Sequence, residues 1–386
     1  MPLLRSSPSD YTSVVKSLAV AGAAVSNPQG SRPASKGAVA FVNVASTGAL
    51  IRGSPRLVTT PAPKAAVVPA GPVDPNYTVY QATRLFGNNY TNWYGMLELD
   101  TSGNLYYRDA SDFKFYKITP GGTRTFVAGN GINNSTFSPG LGAAAQFANQ
   151  TRSMVLDSLN NIFVCNSQDN DHRIIKIEPN GNVTSFAGTG TSGYTDGPAA
   201  SATFDSPIGM AIDASNTLYV SEYFRKTIRK ITSGGQVSTL TFTAAFNTSF
   251  YSLAVDSTGI LYGLDPALNR VYKITPTGPS TADITLLAGS TAGYANGQGS
   301  AAQFNVGYDA GLCVDRFGNI YVGDGNNGSV RKITPGGLVS TIFGNGTNGA
   351  SNTSTQLQTP GRPKIDSNDV IYVPTPNNFQ KLTPVS

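Results

Sequence analysis

Histidine and cysteine, which supply most soft-metal ligands and many nucleophiles, are nearly missing from this chain: it has one histidine, His172, and two cysteines, Cys165 and Cys313. A zinc site built on two or three histidines is excluded by arithmetic. Without a Cys-x-x-Cys pair or a second histidine to activate a thiolate, the two cysteines, set among apolar β-type residues, are expected as buried core thiols. His172, in Asn-Asp-His-Arg, is expected as an exposed turn residue. Charge is also scarce, at 13% of residues. No apolar segment approaches the roughly eighteen residues of a membrane span, and MPLLRSSPSDY lacks an apolar run of secretory length, so neither a span nor a signal peptide is expected.

What the chain has instead is slow repetition. A unit of the form hydrophobic-Asp, turn, Leu/Ile-Tyr/Phe-Val, then a β-rich run with Lys-Ile/Leu recurs six times, anchored at Asp100, Asp157, Asp213, Asp256, Asp315 and Asp366. Spacings of 43 to 59 residues suit a four-stranded propeller blade with loop insertions. The third unit reads as strands at 209–213, 218–221, 227–232 and 236–242, each short, β-rich and bounded by turn formers. Lys117, Lys176, Lys230, Lys273, Lys332 and Lys381 share one position, and Tyr106, Phe163, Tyr219, Tyr262, Tyr321 and Tyr372 another. Groups present once per unit are expected to be architectural, as are the six aspartates.

The ends set the topology. The sixth unit stops after a third strand at 379–384, whereas 77–87, YTVYQATRLFG, looks like a strand without a blade. The expected fold is all-β: a six-bladed β-propeller with four-stranded blades, closed by an N-terminal strand at about 78–86, which removes the open edge. The expected domains are an extended arm at 1–76 and the propeller at 77–386.

The segments FAGTGTSGYTDG (186–197), ATFDSPIGMAID (202–213), LYV (218–220) and IRKIT (228–232) together resemble an NHL repeat, as do 286–304 and 330–346. The resemblance covers roughly 77–386 and implies a six-bladed propeller. Such propellers include binding modules and lyase or lactonase enzymes, so fold does not choose between them.

A different column carries the candidate chemistry. Nine residues after each anchoring aspartate, where the second strand ends, stand Asp109, Asn166, Glu222, Asp265, Asp324 and Thr375. They are expected on the face reached by the long connections 131–152, 190–208, 290–309 and 345–363. Two readings stand: solvated strand ends, or a shared mouth holding calcium through oxygen ligands or a polar ligand such as a sugar. No catalytic residue or cofactor other than that calcium is expected, although the same carboxylates would serve a lyase or lactonase.

Residues 1–76 are rich in Ala, Ser, Pro and Val and cannot easily bury enough surface to fold alone. Seven basic residues (Arg5, Lys16, Arg32, Lys36, Arg52, Arg56, Lys64) face only Asp10 and Asp74 there, leaving the rest neutral with 20 basic and 20 acidic residues. Scattered charge of this kind fits an acidic protein surface better than nucleic acid, which is not expected as a partner. A Gly-, Asn-, Thr- and Ser-rich body without an export signal leads to one expectation: a display or binding module of a virion or extracellular assembly, such as a phage decoration, tail or fibre-like protein. Its arm would contact other structural proteins, and its propeller a glycan or host-surface ligand. A bacterial surface adhesin is the further alternative.

Overall fold

The computed structural model describes residues 79–84, 96–133, 136–168, 171–244, 247–349, 352, 356–376 and 378–385. The expected arm at 1–76 lies outside the described residues, as do 77–78 and 85–87 of the expected closing segment. Six sheets of four or five strands form a closed propeller ring.

The ring closes as its ends require. Val79–Arg84 pairs antiparallel with Asn378–Val385, the third strand of the last blade, in a register running from Val79 opposite Val385 to Arg84 opposite Gln380. Blade three shows the common plan, with strands Pro207–Ile212, Leu218–Glu222, Ile228–Ile231 and Gln236–Thr239 ordered from the axis outward. Its fourth strand ends three residues earlier than expected. Leu240 is buried, its N–H bonded to the Ile228 carbonyl, and Thr241–Phe242 crosses to pair in parallel with Thr281–Ala282 of blade four. Short strands at Gly140–Leu141, Gly197–Pro198 and Gly297–Gln298 likewise add a fifth member at the outer edges of blades two, three and five. These additions cover backbone groups that a four-stranded blade would leave open.

Each anchoring aspartate organises the turn between first and second strands. Its Oδ1 accepts the backbone N–H groups two and four residues later at 2.8–3.0 Å in all six blades. The residue three positions on has positive φ, and only Gly103, Asn160, Asn216, Gly259, Gly318 and Asp369 occur there, the types that tolerate a left-handed backbone. Oδ2 accepts the hydroxyl of Tyr106, Tyr219, Tyr262, Tyr321 or Tyr372 at 3.1–3.3 Å. Blade two has Phe163, which lacks a hydroxyl, and there Asn161 Nδ2 donates to Asp157 Oδ2 at 2.7 Å. Burial and the neighbouring aspartate push the Tyr106, Tyr219 and Tyr372 phenols up to about 12, so all three stay protonated donors.

The lysine column explains itself through register. Lys117, Lys176, Lys230, Lys273, Lys332 and Lys381 lie directly across from Tyr106, Phe163, Tyr219, Tyr262, Tyr321 and Tyr372. All six lysines are half-buried, their stems covering apolar surface while the charge reaches water.

Six apolar clusters hold the ring, one between each pair of neighbouring blades. At about 1.5–3 kcal/mol for each fully buried large side chain, these interfaces dominate the stability of the ring. Cys165 and Cys313 belong to them as free, buried thiols. His172 differs from expectation: it is buried in strand Asp171–Ile177, and its Nδ1 accepts the Ser206 N–H at 2.9 Å.

Candidate functional site

The two ends of the ring are chemically distinct. The aspartate turns occupy one end, here the turn end. Antiparallel pairing brings the close of each second strand beside the start of the first, as in Thr151 opposite Asn166 and Pro207 opposite Glu222. Asp109, Asn166, Glu222, Asp265, Asp324 and Thr375 therefore sit at the other end, the mouth end.

They are not solvated strand ends, and each is held by its own blade and the loop entering it. All six are at least 98% buried. Glu222 Oε1 accepts the Asp205 N–H at 2.8 Å and Arg229 Nη1 at 3.3 Å, while Oε2 accepts the Thr227 hydroxyl at 2.7 Å. Asp324 accepts the Asn305 N–H, Asn327 Nδ2 and Arg331 Nη1 at 2.8–2.9 Å. Asp265 takes the Thr248 hydroxyl and the N–H groups of Ala267 and Leu268. Asp109 binds Ser111 and Arg124, Asn166 donates to Asp171, and the Thr375 hydroxyl donates to the Asn378 carbonyl. Among the described residues no three His, Cys, Asp or Glu side chains group as a metal-ligand set.

Two fully buried arginines account for much of this. Arg229 bridges Glu222 and Asp196 and binds the carbonyls of Thr195 and Thr203, with its guanidinium 5.0 Å from the Phe204 ring. In blade five Arg331 repeats the arrangement with Asp324, Asn296, and the carbonyls of Ala295 and Gln303, over Phe304. The long loops 190–208 and 290–309 are thereby clamped over the strand ends, which is why the carboxylates are covered. Burial raises the pKa of Glu222 and Asp324, and the paired guanidinium pulls each back.

The axis of the ring shows what recurrence concealed. Four residues before the anchoring aspartates stand Met96, Ser153, Gly209, Ser252, Gly311 and Arg362, a mostly small column broken by one arginine. Arg362 reaches across the channel, donating from Nη1 to Ser153 Oγ at 2.6 Å and from Nη2 to the Tyr251 carbonyl. Gly311 is small because a Cβ there would collide with the Arg362 side chain. On the mouth side Arg362 lines a small open cleft of about 10 Å³ with Arg152, Ile208, Tyr251, Tyr308 and Asp309.

Beside this cleft lies a run of aromatic rings. Tyr251 packs against Tyr308 at 5.2 Å and Tyr223 at 5.7 Å, and Tyr223 against Phe224 at 5.0 Å. Phe224 and Tyr308 expose 65% and 63% of their surface, and Tyr223 40%. At the turn end the channel opens instead into a funnel of about 200 Å³ lined mostly by aliphatic residues, whose charged groups, Glu98 and Lys364, pair with each other at 2.5 Å.

Residues 191–371 match the family described as the Teneurin NHL domain, and they include complete blades with the turn, lysine and clamp positions described above. The chain is an NHL-repeat propeller. No curated protein sequence matches it. Solved structures similar to this NHL-repeat propeller include an auxiliary nutrient binding protein from Bacteroides ovatus, with TM-score 0.60 and 13% identity over 80% of this chain and 78% of that one. A gluconolactonase from Xanthomonas campestris aligns with TM-score 0.55 and 12% identity over 83% and 99%. Virginiamycin B lyase from Staphylococcus aureus aligns with TM-score 0.51 and 11% identity over 79% and 99%. At these identities the likeness is one of fold.

Sequence reasoning about the NHL-repeat propeller named the carboxylate column but missed the aromatic mouth, Arg152 and Arg362. The available signal was an exception to a repeat: Arg362 where other blades have Met, Ser or Gly, and Arg152 and Tyr251 where blade three has Ile208.

Proposed function

We propose that the propeller is a non-enzymatic binding and display module whose mouth-end aromatic rings take a glycan, and that residues 1–76 hold it in a larger assembly, a phage virion. The observation that carries the binding half is the contiguous aromatic surface of Tyr223, Phe224, Tyr251 and Tyr308 beside a charged cleft. Exposed aromatic surface of this kind marks ligand or partner sites, and flat rings with a polar rim suit the apolar faces and hydroxyls of a sugar. Against a lyase or lactonase stands the engagement of Glu222, Asp265 and Asp324 in buried bonds to their own blades. The anchoring half is supported by the concentration of net positive charge in residues 1–76; loss of incorporation into the parent particle on deleting them is its check.

Binding to an immobilised glycan panel, with lactone hydrolysis measured in parallel, tests the first half. Tyr308→Ala should keep the melting temperature and lose at least tenfold in glycan affinity. Lactone turnover that disappears in Glu222→Ala with the fold intact would replace this reading with the enzymatic one.

A further inference from the structure

The funnel at the turn end of the channel is built differently from the mouth. Five of the six residues that stand immediately before the anchoring aspartates line it: Leu99, Ile212, Val255, Val314 and Ile365. In every blade the anchoring aspartate's N–H bonds to the carbonyl four residues on. Antiparallel partners alternate between hydrogen-bonded and non-bonded pairs, so the residue one step inward turns its N–H and C=O away from the second strand. The first strands are the inner edges of their sheets and face one another around the axis, which directs those groups into the funnel. Leu312, two residues further in and of the same parity, shows the direction: its N–H donates to Ser252 Oγ of the neighbouring blade at 3.2 Å. The funnel is thus ringed by backbone donors and acceptors set among aliphatic side chains.

Charge and size narrow what fits there. Glu98 and Lys364 are the only acidic and basic side chains lining the funnel among the described residues, and they pair with each other. The lining therefore carries no net charge, and an ionic ligand would bring in an uncompensated one at a cost that a neutral ligand avoids. At its inner end the channel narrows to about 10 Å³ beside Arg362, whose guanidinium spans it from Ser153 Oγ to the Tyr251 carbonyl. Arg362 thus separates the funnel from the mouth. The funnel's volume, about 200 Å³, exceeds the roughly 150 Å³ of a cavity that accepts benzene and falls short of the roughly 300 Å³ at which sites for drug-sized ligands begin. That is room for one substituted ring rather than for several.

We propose that the turn-end funnel is a second ligand site, independent of the mouth, for a single neutral polyhydroxylated molecule, a monosaccharide or a cyclic polyol. A hydroxyl both donates and accepts, so it can answer the N–H and the C=O that each strand edge presents. The C–H faces of the ring would lie against Ala211, Ala254 and Val255. The Glu98 carboxylate and Lys364 ammonium offer an acceptor and a donor side by side to the same hydroxyls.

The test is ligand-observed NMR titration of the full chain with glucose, mannose and myo-inositol, and with glucuronate and glucosamine as charged counterparts. The expected result is saturable binding of a neutral member at least tenfold tighter than of either charged sugar. Ala254→Phe, which fills the funnel, should abolish that binding. Glu98→Gln leaves Lys364 without its carboxylate and should turn the preference to glucuronate by at least tenfold. The wild-type series stands without any variant, and Ala254→Leu, a smaller filling, takes the place of Ala254→Phe if the latter fails to fold. Binding that survives Ala254→Phe and is lost in Tyr308→Ala would belong to the mouth, overturning the funnel site while supporting the aromatic platform. Equal binding of neutral and charged sugars, or no binding of any, would overturn the proposal outright.

Discussion

At the turn end of the ring all six blades present the same chemistry; at the mouth end nearly every blade differs. The turn end repeats one aspartate, one left-handed residue and one aromatic with its cross-strand lysine. The mouth end has the Arg229 and Arg331 clamps in blades three and five, a buried Arg108 from blade one that binds the Ala148 and Asn149 carbonyls, tyrosines from blades three, four and five, and Arg362 from blade six. Recurrence therefore marks what every blade needs in order to stack, and departures mark where the molecule can do something a generic propeller would not. The lesson extends to the carboxylates: Asp109, Glu222, Asp265 and Asp324 recur, each bonded to its own blade, whereas Arg362 stands in a column where no other blade has a charge.

Both ends depend on a shut ring, so the largest expected effect comes from its closure. Deleting 79–84 strips six paired residues from Asn378–Val385 and exposes a strand edge. The expected loss is about 4 kcal/mol or more, with aggregation, read by denaturant unfolding and light scattering. An unchanged unfolding midpoint would show that blade six does not need its fourth strand.

The mouth end comes next. Arg229→Met leaves Glu222 buried without its cation and should cost about 3–5 kcal/mol. Arg362→Met, which breaks no ion pair among the described residues, should cost clearly less in the same urea titration. Equal losses would mean that Arg362 is as structural as the clamps.

The turn end should give the smallest and most uniform effect. Asp213→Ala removes an acceptor for two backbone N–H groups and the Tyr219 hydroxyl, for an expected loss of about 1–2 kcal/mol. Asp366→Ala should match it, since its turn has the same bonds, and Asp256→Ala should cost slightly more because Asp256 also accepts the Thr258 hydroxyl. A wide spread among the three would break the equivalence of the blades.

Most of the fold was legible in the sequence because its determinants are local and repeated. A turn aspartate, a left-handed residue three positions on and a strand aromatic six positions on declare themselves wherever they recur, and a spare strand at one end answers a missing one at the other. The surroundings of a strand-end carboxylate were not legible, because they depend on which loop folds back over it. Spacing placed Glu222 at the mouth end, but only Arg229 and the 190–208 loop decide that it is covered. His172 was misjudged for the same reason: Ser206, which bonds it, lies 34 residues away. The aromatic mouth went unnoticed because Tyr223, Tyr251 and Tyr308 meet only once three blades are in place.

The closing strand also constrains how the molecule comes into being. Thr83 and Lys381, neighbours across the seam, are separated by 298 positions along the chain. Five blades can form from contiguous stretches as synthesis proceeds, but Val79–Arg84 must wait for a partner made long afterwards. Contacts of such long range are slow to form, and until then the waiting strand presents an unpaired edge to every other copy nearby. A nascent chain that met a neighbour's Asn378–Val385 first would close that ring instead of its own, so the device that seals the finished propeller is also a route to strand exchange between molecules during assembly.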